Sequence, residues 1–173
     1  MSKAFTKDDG WEEPVVPPRA PLPAGVPNYV TPRGLELLRA ELAELEGERQ
    51  RLGSDTGDEV ERRRRAAILT RLLGDLAARI ATAQVVDPRR QVQGKVRFGA
   101  RVTLKTLTGA HAGEQRHLTI VGVDEADAAT GRVAFIAPIA RAVLGREVGE
   151  TTTLVTGRGE EVLQVTSIEY PTE

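Results

Sequence analysis

Two leucine seams joined by one short polar turn constrain this chain more than any other feature. Leu35, Leu38, Leu42 and Leu45 repeat with spacings of three and four, and Leu52 continues the row beyond the polar Arg49. Thr31-Pro32 supplies a start: a hydroxyl to cap the first free N–H groups, then a proline where no N–H is needed. Glu41, Glu44, Glu46 and Glu48 fall off the seam, as on a solvated face. The pattern breaks at Gly53-Ser54-Asp55-Thr56-Gly57-Asp58, a run of turn-forming residues. Ala66, Leu69, Leu73, Leu76, Ile80 and Ala83 then form a second seam, with Thr56 and Glu59 spaced as a capping box at its start and Asp87-Pro88 as its stop. Gly74 lies off this seam and weakens the helix by roughly 1 kcal/mol relative to Ala. Helices with one narrow apolar stripe each, tied by so short a turn, bury those stripes against each other. The pattern predicts an antiparallel helical hairpin, a short coiled coil, over residues 30–88. At ~1.5 Å per residue its arms of roughly twenty-odd residues span ~30–37 Å, and the hairpin is expected to protrude.

The apolar period changes after the hairpin. Val96, Phe98, Val102 and Leu104 alternate with polar residues, and His117–Val123, Arg132–Ile136, Thr151–Thr156 and Val162–Ile168 read as further strands. Pro138–Leu144 reads as a short helix, with Gly145 and Gly149 as stops. Residues 93–171 are therefore expected to form a small, mostly antiparallel β domain, and the whole chain an α+β protein. Upstream, residues 1–29 carry Pro14, Pro17, Pro18, Pro21, Pro23 and Pro27 among Gly, Ala and charged residues. Proline removes a backbone donor and favours extended chain, so this stretch reads as a loosely ordered tail whose removal through residue 28 leaves folding intact. Its Trp11, the only tryptophan, is alternatively an anchor for a docking segment.

Composition narrows the chemistry. Aromatics make up 3% of the 173 residues, so the core rests on Leu, Val, Ile and Ala, which suits two small modules better than one large globule. The formal net charge of −1 gives no overall field for a nucleic-acid backbone, so such a partner needs local charge segregation. The lack of cysteine excludes disulfides and thiol chemistry. No apolar run approaches the ~20 residues that span a bilayer, and the first ten residues carry no hydrophobic signal region, so a cytoplasmic protein with no membrane partner is expected. No phosphate-binding loop, nucleophile elbow or dinucleotide fingerprint is present, which argues against a self-contained active site. His111 and His117 lack metal-ligand spacing and read as surface or strand residues.

Charge does cluster at the hairpin's turn. Asp55, Asp58 and Glu59 are oxygen donors at a projecting tip, able to ligate Mg²⁺ or to position a metal-bound water for attack on a phosphodiester. The same residue types serve equally well to cap a turn and to meet the positive end of a helix dipole. Arg62-Arg63-Arg64-Arg65 covers all sides of one helical turn, so not all four are expected to pair locally. That patch suits a phosphate backbone, or it is a solvated charge run with pairs such as Asp58–Arg62 and Glu61–Arg65.

Several segments carry a resemblance: Gly94-Lys-Val-Arg-Phe-Gly-Ala100, His117-Leu-Thr-Ile-Val-Gly-Val-Asp-Glu125, and Ala137-Pro-Ile-Ala-Arg-Ala-Val-Leu-Gly-Arg-Glu-Val-Gly-Glu150. Tyr29-Val-Thr-Pro-Arg-Gly-Leu35, Leu38-Arg-Ala-Glu-Leu42 and Ala83-Gln-Val-Val-Asp87 mark the hairpin's entry and exit. Together, over residues 29–170, they resemble the bacterial Gre (GreA/GreB) family of transcript cleavage factors, as a GreB-like member with a shortened coiled coil. The resemblance implies an FKBP-like C-terminal domain that docks on RNA polymerase, with Pro138, Arg141 and Ala142 in its docking motif. It implies a coiled coil that enters the secondary channel as a monomer, and tip acids that help hold Mg²⁺ in the polymerase active site, with no cofactor of the chain's own. Asp55 and Asp58 match the two tip acids by position, Glu59 can substitute, and Arg62 to Arg65 resemble the basic patch that meets the RNA 3′ end. The tip, Gly-Ser-Asp-Thr-Gly-Asp-Glu-Val, departs from the family's Gly-Asp-x-x-Glu-Asn form, and the arms are shorter by roughly two turns, or ~10 Å. Two outcomes stay open: an accessory factor that stimulates cleavage of backtracked RNA, or a regulator that occupies the channel without cleaving. Proline isomerase activity, which the FKBP-like domain alone would suggest, is disfavoured by the shortage of aromatic residues.

Overall fold

In the computed structural model, residues 19–171 are described. Strand β1 (Asn28–Val30) leads into helix α1 (Pro32–Gly53), and helix α2 (Glu59–Ala81) returns the chain to strand β2 (Ala83–Val85). The start of α1 is the one its sequence predicts: Thr31 caps it by accepting from the Gly34 N–H at 2.9 Å, with Pro32 in the first turn. Along the seam Leu38 is buried, and Leu35, Leu42 and Leu45 pack around it against the buried Leu76 and the flanking Ile80. Leu69 and Leu73 are buried further up α2.

The two ends of α2 differ from expectation. Asp58, not Thr56, is its N-cap, because the Asp58 carboxylate reaches the Val60 and Glu61 N–H groups. At the other end the helix closes at Thr82, before Asp87-Pro88, and Ala83 sits in β2. Asp87 caps a separate 3₁₀ turn, Pro88–Arg90. Strands β1 and β2 pair in parallel, Asn28 opposite Ala83 and Val30 opposite Val85. Parallel neighbours cannot be joined by a tight turn. Here the whole hairpin is their connection, so its two arms are clamped together at the root.

The second domain holds β3 (Arg101–Thr106), β4 (Gln115–Val121), β5 (Arg132–Ala134), helix α3 (Pro138–Val143), β6 (Thr151–Thr156) and β7 (Gly159–Glu169). Sheet order is β5-β4-β3-β7-β6. Pairing is antiparallel except between β4 and β5, so the sheet is mixed. Val96 and Phe98, expected within the first strand, lie just before β3 and are buried there. Val102 and Leu104 of β3, Ile120 of β4, and Leu163 and Val165 of β7 form the core, which Ala140 and Val143 of α3 cover.

Hairpin and sheet meet at an aromatic and ionic joint. Tyr29 packs on Phe98 and Phe135 with ring centroids 5.8 and 5.6 Å away. Gly122 comes so near β1 that a β-carbon there would lie 2.6 Å from the Tyr29 carbonyl oxygen. The Thr31 hydroxyl donates to Glu125 at 2.5 Å, and Arg33 stands 3.7 Å from the same carboxylate. Arg79, 9% exposed, lies 3.5 Å from Asp124 and donates to the Ala20 carbonyl. Arg19 bridges Asp124, at 2.9 Å, and Glu41 of α1. The predicted loose tail is thus corrected from Arg19 onward: this part packs on the body because its arginine and backbone meet buried partners. Residues 1–18, with Trp11, lie outside the described residues.

Candidate functional site at the hairpin tip

At the tip, α1 closes through Ser54, whose N–H and hydroxyl both bond to the Arg51 carbonyl. One Asp55 carboxylate oxygen accepts from the Gly57 N–H at 3.0 Å, which folds the turn back. The corresponding oxygen of Asp58 accepts from Val60 at 2.8 Å and Glu61 at 3.4 Å. Each aspartate therefore spends one oxygen on the backbone, and its other oxygen takes no hydrogen bond among the described residues. Asp58, Glu59 and Glu61 also place negative charge at the positive end of the α2 dipole.

Each of the four arginines finds a local partner, against expectation. Arg62 donates to the Asp55 carbonyl at 2.8 Å and so ties α2 to the turn. Arg63 pairs with Glu59 one turn back, and Arg64 stands 4.0 Å from Glu61. Arg65 reaches across the hairpin to Glu48 with two nitrogens, at 2.9 and 2.7 Å. Neither Asp58–Arg62 nor Glu61–Arg65 forms as a side-chain pair, because the arginines lean toward the tip or across to α1. These are exposed pairs, with 71% of the Arg63 and 64% of the Arg65 side chain open to solvent. Such pairs contribute only about 0–1 kcal/mol each, so a phosphate can displace them at little cost.

Among the described residues no three His, Asp or Glu side chains converge to hold a metal ion. The tip acids fit a narrower role. Two carboxylates with one free oxygen each suit a Mg²⁺ whose remaining ligands come from elsewhere, since such ions are commonly held by one or two carboxylates.

The second predicted patch lies on α3, away from the tip. Pro138 and Arg141 are exposed on that helix, whereas Ala142 packs against the sheet core. His117 is exposed on β4 and shares a 3.1 Å hydrogen bond with Thr103. His111 instead contacts Glu161, a buried carboxylate that Arg116 also reaches at 2.8 Å. Those two hydrogen bonds, that of His111 first, hold the Glu161 carboxyl below its ordinary range. Burial pushes that of Glu125 up, against the opposing Thr31 hydroxyl and Arg33. The joint residues Arg19, Arg79, Asp124 and Glu125 escaped sequence reading. The one hint is Arg79, three residues after Leu76 and beside Ile80 in the buried seam.

A two-helix arm with a charged tip, clamped at its root to a small mixed-sheet platform, defines an arm-and-platform protein. The pattern "Transcription elongation factor, GreA/GreB, C-term" matches residues 91–170. Transcription elongation factor GreB of Neisseria meningitidis serogroup A is 34% identical over 157 residues, covering 83% of this chain and 94% of that protein. GreA of Francisella tularensis subsp. novicida is 34% identical over 155 residues, covering 82% and 95%. Among solved structures, the GreA factor homolog 1 (Gfh1) of Thermus thermophilus aligns over 83% of this chain and 99% of its own at 21% identity, with a TM-score of 0.38. The GreA/GreB factor from Nitrosomonas europaea aligns over 84% and 99% at 19% identity, with a TM-score of 0.40. The chain belongs to the GreA/GreB family of transcription elongation factors.

Proposed function

We propose that this chain binds RNA polymerase through its β domain, around Pro138, Arg141 and Ala142, and extends its hairpin into the secondary channel to regulate elongation. It acts there as a cytoplasmic monomer and as an accessory to the enzyme. The observation that supports this best is the arm itself. Helix α1 has 22 residues, about 33 Å at ~1.5 Å per residue, and ends in Asp55, Asp58 and Glu59 with Arg62–Arg65 directly below. Acids at the end of a narrow probe suit delivery of carboxylate oxygens to a Mg²⁺ of the polymerase. Such an ion activates water for attack on a phosphodiester. The arginines suit the phosphates of a backtracked RNA 3′ end, which makes stimulated transcript cleavage the first form of the proposal.

A second form has its own support. Asp55 and Asp58 already build the turn, and Glu59 is paired with Arg63. Acids occupied in this way fit an arm that fills the channel without cleaving. The deciding experiment is release of short 3′ RNA fragments from a stalled, backtracked polymerase complex in Mg²⁺. The Asp55→Asn, Asp58→Asn double variant keeps the carbonyl oxygens that cap the turn and removes the charge. Faster cleavage that this variant abolishes supports the cleavage factor. Tight binding without added cleavage supports the channel-occupying regulator, and absence of binding to polymerase sinks both.

A further inference from the structure

The joint between arm and platform contains a cleft of about 330 Å³ at the opposite end of α1 from the tip. Arg33 enters it from the root of α1, Arg101 and His117 from β3 and β4, and Arg132 from the start of β5. Against these stands one acid, Glu125, whose side chain is 5% exposed and already engaged by Thr31 and Arg33. Arg101 and Arg132 make no ion pair among the described residues. The acids nearest to them along the sheet are Glu169, opposite Arg101 in register, and Asp127, which bridges to Arg132. Both Asp127 oxygens are taken, by the Ala129 N–H and the Thr130 hydroxyl, each at 3.0 Å. His117 uses one ring nitrogen toward Thr103, and its other nitrogen takes no hydrogen bond among the described residues. Three guanidinium groups thus converge on one spot, and two of them, Arg101 and Arg132, have no ion-pair partner among the described residues.

One part of the cleft's remaining wall is hydrocarbon, beside Thr31, Thr119 and Thr130. Pro32, Pro88 and Pro171, with Leu118 and Val121, line the same cleft. Proline has no N–H to satisfy and offers a flat face. A site of this size, apolar on one side with a few convergent polar groups on the other, takes a small molecule. Guanidinium groups recognise phosphate through paired N–H donors. We propose that this cleft binds a nucleoside phosphate, with its phosphates on Arg101, Arg132 and Arg33 and its base against the proline wall. The bounded volume favours a mononucleotide over a nucleic-acid strand, which wants a continuous basic track rather than one convergence point.

The test is calorimetric titration of the full chain with GDP and with ADP. Guanosine, adenosine, pyrophosphate and a single-stranded oligonucleotide serve as comparisons. Expected is saturable binding of at least one nucleotide, weakened about tenfold or more by Arg101→Ala and by Arg132→Ala, because each removes a charge-assisted contact. Arg101→Gln and Arg132→Gln, which keep most of the side chain's packing, are to give the same loss if an alanine variant fails to fold. No nucleotide binding up to about 5 mM, weaker than any useful site, overturns the proposal, as does binding that ignores both arginines. Nucleosides binding as well as nucleotides removes the phosphate seat. Pyrophosphate binding as tightly as GDP removes the base seat. Arginine-dependent capture of the oligonucleotide without the mononucleotides makes the cleft a strand contact instead, and overturns it too.

Discussion

Asp58 is pulled in two directions. Its carboxylate caps α2 through the Val60 and Glu61 N–H groups, while the proposed work at the polymerase needs its negative charge. Capping needs an acceptor oxygen and not a charge, so the two roles separate by substitution. Asp58→Ala is expected to cost about 1 kcal/mol of stability, and Asp58→Asn close to nothing, in urea denaturation of the isolated protein. A loss in Asn equal to that in Ala would mean that charge at the helix end matters more than the cap. Two glycines at the joint differ in the same instructive way. A β-carbon at Gly34 would meet the side-chain carboxylate of Glu125 at 2.8 Å, whereas one at Gly122 would meet the Tyr29 backbone carbonyl at 2.6 Å. A carboxylate can swing aside and a strand cannot. Gly122→Ala is therefore expected to destabilise by roughly 1–3 kcal/mol and Gly34→Ala by less, measured in the same denaturation series. Equal costs would show that Glu125 is held as rigidly as the strand.

Elements were legible in the sequence in proportion to their length and periodicity. The seams of α1 and α2 repeat over many turns, and a stripe at spacings of three and four has one physical meaning. Thr31-Pro32 marked the start of α1 because capping chemistry is local. Strands β1 and β2 have three residues each, too few to show a period, so the parallel clamp at the hairpin root had no sequence signal, while β5 was read as a strand over Arg132–Ile136 without any sign of its parallel pairing. The start of α2 was misplaced because two candidate caps, Thr56 and Asp58, stand within one turn, and the Asx turn of Asp55 decides between them. The tip acids were legible as a cluster, but their division between turn-building and free oxygens was not, since that depends on which N–H each one reaches. The arginine row misled for a related reason: the Arg65–Glu48 pair joins two helices and is invisible to a rule based on spacing within one. These exposed pairs yield a prediction at this scale. Replacing Arg62, Arg63, Arg64 and Arg65 with alanine keeps strong helix formers in α2 and removes three weak surface pairs and one exposed hydrogen bond to the turn. Thermal stability is expected to change by a few degrees at most, while affinity for a backtracked polymerase complex falls at least tenfold and loses much of its salt dependence. Unchanged affinity would return the row to a solvated charge run.

The proposed use of the hairpin as an arm needs a rigid root, because any tilt at the joint is multiplied along α1. Rigidity there comes from residues far apart in the chain. Arg19 ties α1 to the turn after β4, Arg79 joins α2 to Asp124 and to the Ala20 carbonyl, and Asn28 donates to the Arg79 carbonyl at 2.8 Å. Such a joint leaves little trace in sequence: each residue reads as an ordinary polar position, and only the fold brings them together. It also changes what the proline-rich stretch is for. From Arg19 the chain crosses the root and turns once, the Val26 N–H bonding to the Pro23 carbonyl at 3.1 Å, before it enters β1, so this segment is a strap. Removing residues 1–28 takes away Arg19, Ala20 and Asn28 and leaves Arg79 and Asp124 with only each other in a buried setting. Breaking a buried charge network of this kind costs about 3–5 kcal/mol. At roughly 2–4 °C per kcal/mol for a chain of this size, the melting temperature is expected to fall on the order of 10 °C relative to a truncation of residues 1–18, which keeps every named contact. Equal melting temperatures for the two truncations would show that the strap adds nothing to the joint. If the expected loss appears while the far-ultraviolet helix signal is retained below the transition, the defect lies in the root and not in the arm. That variant is then expected to bind polymerase through its platform with little change in affinity, yet to lose its effect on elongation.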